Sequence, residues 1–336
     1  MKTKAIIFPE KLKAELVEKD LPALNDNQVL VRCTVSHVST GTESFCFRGE
    51  FDEGTTWARW VKYPFSPGYS TVGEVVEAGS AVATLKVGDR VQSASQHAHH
   101  HVMNEGEMQS VPDSISDEVA GWAILATTTQ TALRRAQLVM GDTAVVIGLG
   151  PLGQLVTRYL YSVGLSRIIA VDTVAHRLAL AAAGGATATF EGSAADAKDF
   201  VLEACDGKLA DVVFDVTGHW SVLPLALPLA RDFGKVILLG DSPTPSKQHL
   251  TQDVLGRQVT LIGTHSSKLP PDQAHWTGEK QIQLFYEYIT RGVFKTDGLI
   301  THRYRPEQAP EVYRKLQTDR TDTLGVLFDW TGETAL

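Results

Sequence analysis

Short apolar stretches separated by turn residues fill the N-terminal third of the chain. Residues 5–9 are apolar, and residues 29–35 and 73–79 are rich in β-branched side chains, which is typical of strands. Gly79-Ser80 and Gly88-Asp89 provide tight turns at the ends of such strands. Short strands at this spacing predict a partly closed antiparallel barrel.

The pattern becomes helical after Ser116. Ser116 is a favourable N-cap, and Asp117 and Glu118 place negative charge in the first turn. The helical pattern continues to Met140 and is then broken by Gly141-Asp142. We therefore predict one helix over residues 116–140.

From residue 143 onwards, predicted strands and helices alternate. This alternation is typical of βαβ units in a mostly parallel sheet. Residues 298–305 and 324–330 are again strand-like and indicate a return to the first domain. We predict one domain from residues 1–121 and 296–336, and a second from residues 122–295. The alternating strands are predicted over residues 143–148, 168–172, 210–216, 235–240 and 258–263, and the helices over 152–163, 176–183, 223–231 and 279–291.

Size, composition and charge narrow the functional classes. With 336 residues the chain exceeds one ordinary core, which favours two domains. No apolar run reaches the roughly 18 residues that cross a bilayer, and the first apolar stretch is too short for a signal peptide. A net charge of -8 disfavours nucleic acid as a partner. Cys33, Cys46 and Cys205 have no close pairing, so we expect a cytoplasmic enzyme or binding protein.

The run Gly148-Leu149-Gly150-Pro151-Leu152-Gly153 carries the clearest chemistry. It follows an apolar strand, opens a helix and is followed by a second apolar strand, which is the context of a dinucleotide-binding turn. Gly148 permits the tight turn, Gly150 lets the backbone approach a pyrophosphate, and Gly153 allows close helix–strand packing. The amide groups at the start of the helix would then bind the anionic phosphates. The sequence predicts a Rossmann cofactor domain.

Asp172 ends the second apolar strand and is the predicted ribose-binding acid. Its carboxylate would accept hydrogen bonds from the ribose hydroxyls and repel a 2′-phosphate, so NAD is favoured over NADP. Arg177 lies on the following predicted helix and could soften that preference.

Five motifs in the same order give the chain a family resemblance. The chain resembles the medium-chain dehydrogenase/reductase superfamily over essentially its whole length. The resemblance implies a GroES-like antiparallel β-barrel domain beside a Rossmann doubly wound parallel sheet, and assembly as a homodimer or homotetramer. The motifs are Gly73-Glu74-Val75-Val76-Glu77-Ala78-Gly79, Lys86-Val87-Gly88-Asp89-Arg90-Val91, the glycine run, Phe214-Asp215-Val216-Thr217-Gly218 and Leu299-Ile300-Thr301-His302-Arg303.

Within the superfamily, the chain is similar to the zinc-free branch that includes bacteriochlorophyllide 3-hydroxyethyl dehydrogenase. The resemblance places the first catalytic zinc ligand in Thr40-Gly41-Thr42-Glu43, the second in Gly68-Tyr69-Ser70 and the third in residues 124–127. None of these positions carries a usual zinc ligand, and the four-cysteine lobe is replaced by residues 93–97. We therefore expect no metal site.

A histidine cluster is the alternative candidate for a metal site. His97, His99 and His101 would share one face of a strand while His100 points away, so a metal would need further partners. The resemblance implies an ordinary strand here. Among the four, His97 is expected to line the substrate cleft.

Alcohol oxidation without a metal still needs a group that takes the hydroxyl proton. Tyr69 is the first candidate, because a neighbouring nicotinamide cation could lower its phenol pKa from about 10. Filling the space left by zinc is the alternative role for Tyr69. By resemblance Thr42 belongs to a proton relay, and Glu43 is either a base or the partner of a basic side chain. Thr40 and Ser70 are expected to bind substrate by hydrogen bonds.

Further loops and aromatic residues complete the predicted cleft. By resemblance, the nicotinamide half contacts Thr217-Gly218, Gly240-Asp241 and Thr264-His265. Trp57 and Trp60 form part of an aromatic and basic segment that would suit a large planar or carboxylated substrate, a tetrapyrrole included. A role for that segment in the barrel core or in an oligomer contact remains the alternative.

These observations together predict a zinc-independent, NAD-dependent dehydrogenase that oxidises a secondary alcohol to a ketone. The substrate is a hydroxyethyl chlorin or a sugar or cyclitol. One alternative is a quinone or enoyl reductase using NAD(P)H, although Asp172 argues against the NADPH that such enzymes usually favour. The other alternative is a nucleotide-binding protein without catalysis.

Overall fold

The computed structural model describes residues 1–266 and 268–332. Its strands are β1 Lys2–Ile7, β2 Glu15–Asp20, β3 Gln28–Val38, β4 Thr71–Ala78, β5 Arg90–Ser93, β6 His100–Asn104, β7 Met108–Ser110, β8 Thr143–Ile147, β9 Arg167–Asp172, β10 Ala188–Glu191, β11 Ala210–Asp215, β12 Ala230–Leu238, β13 Thr260–Gly263, β14 Ile300–Tyr304 and β15 Gly325–Asp329. Its α-helices are α1 Thr42–Arg48, α2 Thr56–Trp60, α3 Asp117–Ala120, α4 Ala123–Ala136, α5 Pro151–Ser162, α6 Ala175–Ala183, α7 Lys198–Ala204, α8 Leu223–Ala226, α9 Asp253–Gly256, α10 Gly278–Thr290 and α11 Ala309–Thr318.

Six of the described strands form a parallel sheet in the order β10-β9-β8-β11-β12-β13. The central strand β8 is apolar on both faces: Ala144 and Val146 pack into one core, and Val145 and Ile147 into another. The strand order reverses between β8 and β11, which opens a crevice at the carboxyl ends of the strands. The predicted doubly wound parallel sheet is confirmed.

The second sheet combines strands from both ends of the described chain. Its order is β14-β15-β3-β4-β5-β7, with β6 also paired to β3, and β1 and β2 form a separate hairpin. Neighbouring strands are antiparallel except β14 and β15, which run parallel. Because β15 pairs with β3 and β14 pairs with β15, these two C-terminal strands belong to the same sheet as the N-terminal strands. Residues 333–336 of the predicted domain lie outside the described residues.

Two predicted helices are shorter in the structure. The helix predicted over residues 116–140 is divided into α3 and α4 at Gly121, and α4 ends at Ala136. Ser116 is the N-cap of α3, as predicted. The helix predicted over 223–231 ends at Ala226, because Pro228 lacks an amide hydrogen and its ring clashes with a helical carbonyl. Among the described helices, none combines the length and apolar character that a membrane crossing requires.

Candidate active site

A cleft of about 910 Å³ runs along the carboxyl ends of the parallel strands. We divide its lining into two parts. The cofactor half contains the predicted residues Gly148, Gly150, Pro151, Leu152, Asp172, Arg177, Thr217, Gly218, Gly240, Asp241, Thr264 and His265. The substrate half contains Ser39, Thr40, Thr42, Phe45, Thr56, Trp57, Trp60, Tyr69, Ile124, Leu125 and Thr128.

The glycine run forms the turn between β8 and α5. Gly148 has a φ of +87°, which L side chains rarely adopt. A Cβ on Gly153 would lie 2.0 Å from the Gly148 carbonyl oxygen, so this glycine packs behind the turn and not in the cleft. Gly150 is the N-cap of α5, has no side chain to cap the helix, and leaves open space in front of it. The free amide groups at the start of α5 therefore fit an anionic group.

Asp172 lies at the end of β9 and is linked to the glycine turn. Its Oδ2 accepts a hydrogen bond from the Leu149 amide at 2.6 Å, and its Oδ1 accepts one from the Val174 amide at 2.9 Å. A carboxylate has capacity for further hydrogen bonds, so Asp172 can still bind ribose hydroxyls. The Arg177 guanidinium is 4.0 Å from Asp172 Oδ2 and supplies positive charge beside it.

Arg320 is a residue of the cleft that the sequence analysis missed. Its Nη1 donates to the Thr40 carbonyl at 3.1 Å and so connects the C-terminal segment to the substrate half. Burial, followed by the charges of Arg177 and Arg48, lowers the pKa of Arg320. Within residues 1–266 and 268–332, no carboxylate forms an ion pair with Arg320, so this end of the cleft favours anionic ligands. Nothing in the local sequence around Arg320 indicates this position.

Three hydroxyl groups converge in the substrate half. The Tyr69 hydroxyl donates to Ser39 Oγ and is 3.4 Å from Thr42 Oγ1. Burial raises the pKa of Tyr69 to about 12, although the hydrogen bonds to Ser39 and Thr42 oppose that shift. The protein surroundings therefore raise the pKa of Tyr69, whereas the sequence analysis suggested that a neighbouring nicotinamide cation could lower it. The sequence analysis did not identify Ser39 as a site residue, because a serine at a strand end carries no distinctive signal.

The positions predicted for zinc ligands carry neutral hydroxyl groups or aliphatic side chains. Thr40 and Tyr69 line the cleft, and the side of α4 that faces it contributes Ile124, Leu125 and Thr128. Within residues 1–266 and 268–332, no three His, Cys, Asp or Glu side chains are grouped closely enough to hold a metal ion. Neutral hydroxyl groups and aliphatic side chains are poor ligands for Zn²⁺, so this donor set does not fit zinc.

Glu43 does not line the cleft, which argues against a role as a base and favours the alternative, a partner of another side chain. It is 1% exposed, and its Oε2 accepts from the Tyr313 hydroxyl at 2.5 Å and lies 3.0 Å from His97 Nε2. Its Oε1 accepts from the Ser39 amide at 2.7 Å. The partner of Glu43 is thus a buried histidine together with two neutral donors, in the interior behind the substrate half.

Two predicted substrate-binding residues are also buried outside the cleft. His97 is fully buried, and its Nδ1 lies 2.7 Å from Ser36 Oγ. Ser70 donates its hydroxyl to the Gly121 carbonyl at 2.6 Å and joins the barrel to the start of α4. Both predictions were wrong because these side chains satisfy buried polar groups.

The histidine cluster does not have the alternation predicted for a strand. Strand β6 begins only at His100, so His97 and His99 precede it. His97 points to Glu43, whereas the His99 ring stacks on Trp330 at a centroid distance of 6.3 Å. Burial lowers the pKa of His101 to about 4. These side chains enter different parts of the barrel interior.

Helix α2 places the two predicted tryptophans in the cleft. The helix starts at Thr56 because the Thr55 hydroxyl caps it, accepting from the Ala58 amide at 3.2 Å. Trp57 is 6% exposed and packs edge-on against Phe45, while Trp60 is 48% exposed. One aromatic ring is therefore fixed in the wall, and the other remains accessible beside it.

Known protein families match both the N-terminal part and the central part of the chain. Residues 25–141 match the family described as "Alcohol dehydrogenase GroES-like domain", and residues 151–279 match the family described as "Zinc-binding dehydrogenase". The D-arabitol-phosphate dehydrogenase of Enterococcus avium is 25% identical, over 89% of this chain and 90% of the relative. The L-threonine 3-dehydrogenase of Bacillus velezensis is 28% identical, over 80% of this chain and 85% of the relative.

A solved structure supports the same fold. The galactitol-1-phosphate dehydrogenase from Escherichia coli superposes with a TM-score of 0.80, at 20% identity, over 97% of this chain and 99% of that chain. The predicted pairing of a GroES-like barrel with a Rossmann sheet is confirmed.

Proposed function

The chain belongs to the medium-chain dehydrogenase/reductase superfamily, and from this premise we propose that it is a zinc-independent, NAD-dependent dehydrogenase that interconverts a secondary alcohol and a ketone. The observation that carries the proposal is the hydroxyl cluster of Tyr69, Ser39 and Thr42 in the same cleft as the glycine turn. Proton exchange at the substrate oxygen can take place there without a metal.

The cofactor half supports binding of a nicotinamide dinucleotide, which gives or accepts the hydride when bound. The amide groups at the start of α5 would bind the pyrophosphate, and Asp172 would bind the adenosine ribose. Loops that include Thr217 and Thr264 would contact the nicotinamide end. The negative charge of Asp172 favours NAD, and Arg177 beside it leaves some capacity for NADP.

Tyr69 is proposed as the group that exchanges the proton with the substrate oxygen. With a pKa raised to about 12, its phenol keeps the proton at neutral pH and can donate it while a ketone is reduced. Oxidation of the alcohol uses the phenolate, so its rate should rise with pH. Thr42, 3.4 Å from the phenol oxygen, would orient the substrate hydroxyl or pass the proton onward.

Apart from Arg320, which reaches Thr40, the lining of the substrate half is uncharged and partly aromatic. Among the described lining residues between 39 and 128, none is charged. Trp57 and Trp60 offer aromatic surface for a ring, either by stacking or by contact with the apolar face of a sugar. We propose a hydroxyethyl chlorin or a sugar or cyclitol as the substrate, and Arg320 at the same end of the cleft can bind an acidic group that the substrate carries.

The test is formation of NADH from NAD in the presence of a strong zinc chelator, after the metal content of the purified protein has been measured. The panel contains a hydroxyethyl chlorin, free polyols, cyclitols and one phosphorylated polyol. We expect chelator-resistant turnover of a secondary alcohol, and Tyr69→Phe serves as the matched inactive control.

Three results would contradict the proposal. Activity that the chelator removes and Zn²⁺ restores would make the protein a zinc enzyme. Reduction of quinones or enoyl compounds with NADPH, but no alcohol oxidation, would identify a reductase of double bonds. Tight NAD binding without turnover of any substrate would identify a protein that binds the nucleotide without catalysis.

A further inference from the structure

Ser39 occupies a central place among the hydroxyl groups of the substrate half. It follows β3, precedes α1, lines the cleft and is 9% exposed. Its Oγ accepts the hydrogen bond of the Tyr69 phenol. No zinc-ligand position or relay position predicted by resemblance falls on Ser39.

Glu43 fixes the backbone of Ser39 through its buried carboxyl group and through its own backbone amide. Glu43 Oε1 accepts from the Ser39 amide at 2.7 Å, and the Glu43 amide donates to the Ser39 carbonyl at 2.9 Å. Tyr313 and His97 hold the other carboxyl oxygen of Glu43. The position of Ser39 Oγ relative to Tyr69 is therefore set by a rigid interior network, which is the preorganisation that catalytic hydroxyl groups require.

We propose that Ser39 is a catalytic residue whose hydroxyl donates a hydrogen bond to the Tyr69 oxygen as that oxygen becomes a phenolate. The inference rests on the proposed dehydrogenase function. It deepens that function by assigning the group that stabilises the negative charge left on the Tyr69 oxygen.

The step balances in the direction of ketone reduction. The carbonyl carbon gains the hydride supplied by the reduced nicotinamide cofactor, and the carbon–oxygen π bond breaks. The Tyr69 O–H bond breaks as its proton forms the new O–H bond of the product alcohol. The Ser39 hydroxyl, which accepts from Tyr69 at rest, then turns to donate to the phenolate, and solvent returns the proton after product release. Oxidation follows the reverse course.

The contacts of Tyr69 favour Ser39 over Thr42 for this role. Thr42 Oγ1 is 3.4 Å from the phenol oxygen, near the limit of a hydrogen bond, and Ser39 Oγ makes the closer contact. Of the two hydrogen bonds that oppose the raised pKa of Tyr69, the one to Ser39 has the larger effect. Thr42 is thus left free for the substrate.

The deciding experiment measures kcat, KM and their pH dependence for Ser39→Ala and Ser39→Thr with the best alcohol and its ketone. We expect Ser39→Ala to lower kcat by roughly 100-fold, the size seen when one donor to a developing oxyanion is removed. The dissociation constant for NADH should stay within about twofold, because the hydrogen bonds of Ser39 are made to Tyr69 and Glu43 and not to residues of the cofactor half. Ser39→Thr keeps the hydroxyl and should recover most of kcat.

The pH profile separates a catalytic role from a structural one. In the wild type, the rate of alcohol oxidation should rise about tenfold per pH unit below the pKa of Tyr69, because the phenolate fraction does so. Ser39→Ala should move this profile to higher pH, since a hydrogen bond that lowers the pKa is lost. Ser44→Ala is the matched control, because the buried Ser44 hydroxyl donates to the Thr40 carbonyl in the same segment and does not line the cleft. Its profile should not move.

The outcomes distinguish this inference from the proposed function. If the wild type is active and Ser39→Ala has its kcat and pH profile unchanged, the inference on Ser39 is wrong and the dehydrogenase function stands. Equal losses in Ser39→Ala, Ser39→Thr and Ser44→Ala would also overturn it, because the effect would then be structural. A wild type that turns over no alcohol or ketone would overturn the proposed function, and the inference with it.

Discussion

The two halves of the cleft are built from different parts of the polypeptide. In the cofactor half, the groups that we propose to bind ligand are mainly backbone amides, placed by Gly148, Gly150 and Gly153 within one turn and one helix. In the substrate half, they are side-chain hydroxyl groups, which Ser39, Thr42 and Tyr69 contribute from two separate segments. One half depends on local backbone conformation, and the other on long-range packing.

This difference explains how each half is stabilised. The glycine turn is fixed by contacts within a short stretch of sequence, with Asp172 closing it from the next strand. The hydroxyl cluster depends on Glu43, whose partner Tyr313 is 270 positions away along the chain. Substitutions in the glycine turn should therefore abolish cofactor binding. Substitutions in the network behind the hydroxyl cluster should lower the stability of the barrel domain and the rate of catalysis.

The largest expected effect is on stability, at the buried network behind the substrate half. Glu43→Ala removes the acceptor for Ser39, Tyr313 and His97 together and leaves their polar groups buried without a partner. We expect a loss of about 4 kcal/mol in the free energy of unfolding, because each of the three buried polar groups left without a partner costs about 1–3 kcal/mol. Urea unfolding followed by circular dichroism measures it.

Glu43→Gln is the matched control for that network. The amide keeps an acceptor for the Ser39 amide, so its loss of stability should be smaller than that of Glu43→Ala. A Glu43→Ala variant with the wild-type unfolding midpoint would contradict the structural role. A Glu43→Gln variant with full stability but no turnover would restore Glu43 as a candidate base.

The next prediction concerns the backbone of the cofactor half. In Gly153→Ala the new Cβ would lie 2.0 Å from the Gly148 carbonyl oxygen, so the strand and helix must separate. We expect a loss of stability of about 3 kcal/mol, as for other overpacked sites, and loss of measurable NADH binding by fluorescence. Gly150→Ala adds a Cβ with no atom within 4 Å, so it should fold normally and weaken only NADH binding. Equal stability of the two variants would contradict this comparison.

Sequence alone was sufficient for the half whose determinants are local. The alternation of apolar strands and helices predicted the parallel sheet, and the glycine spacing predicted the turn that Gly148 and Gly150 form. The cleft also includes the predicted Tyr69, Thr42, Trp57 and Trp60, which the family resemblance implied or the sequence order suggested. These features depend on short segments or on motifs with a fixed order.

The assignments that failed depend on side-chain direction. Thr42 and Glu43 are neighbours on the short helix α1, where successive side chains point about 100° apart, so one faces the cleft and the other the interior. Helix α1 has too few residues to give a periodic pattern, and its orientation could not be predicted. Arg320 reaches Thr40 across 280 positions, a contact that only the folded chain reveals.

The smallest expected effect is on the choice between NAD and NADP. Asp172→Asn keeps an acceptor for the Leu149 or Val174 amide but removes the charge that repels a 2′-phosphate. We expect the ratio of the dissociation constants for NADP and NAD to fall about tenfold, which corresponds to about 1.4 kcal/mol. Isothermal titration with both nucleotides gives this ratio directly. Arg177→Gln is the opposite control, because it removes the positive charge 4.0 Å from Asp172 and should increase the preference for NAD. An unchanged ratio in Asp172→Asn would mean that the preference is set by the surrounding arginines and not by the acid at the end of β9.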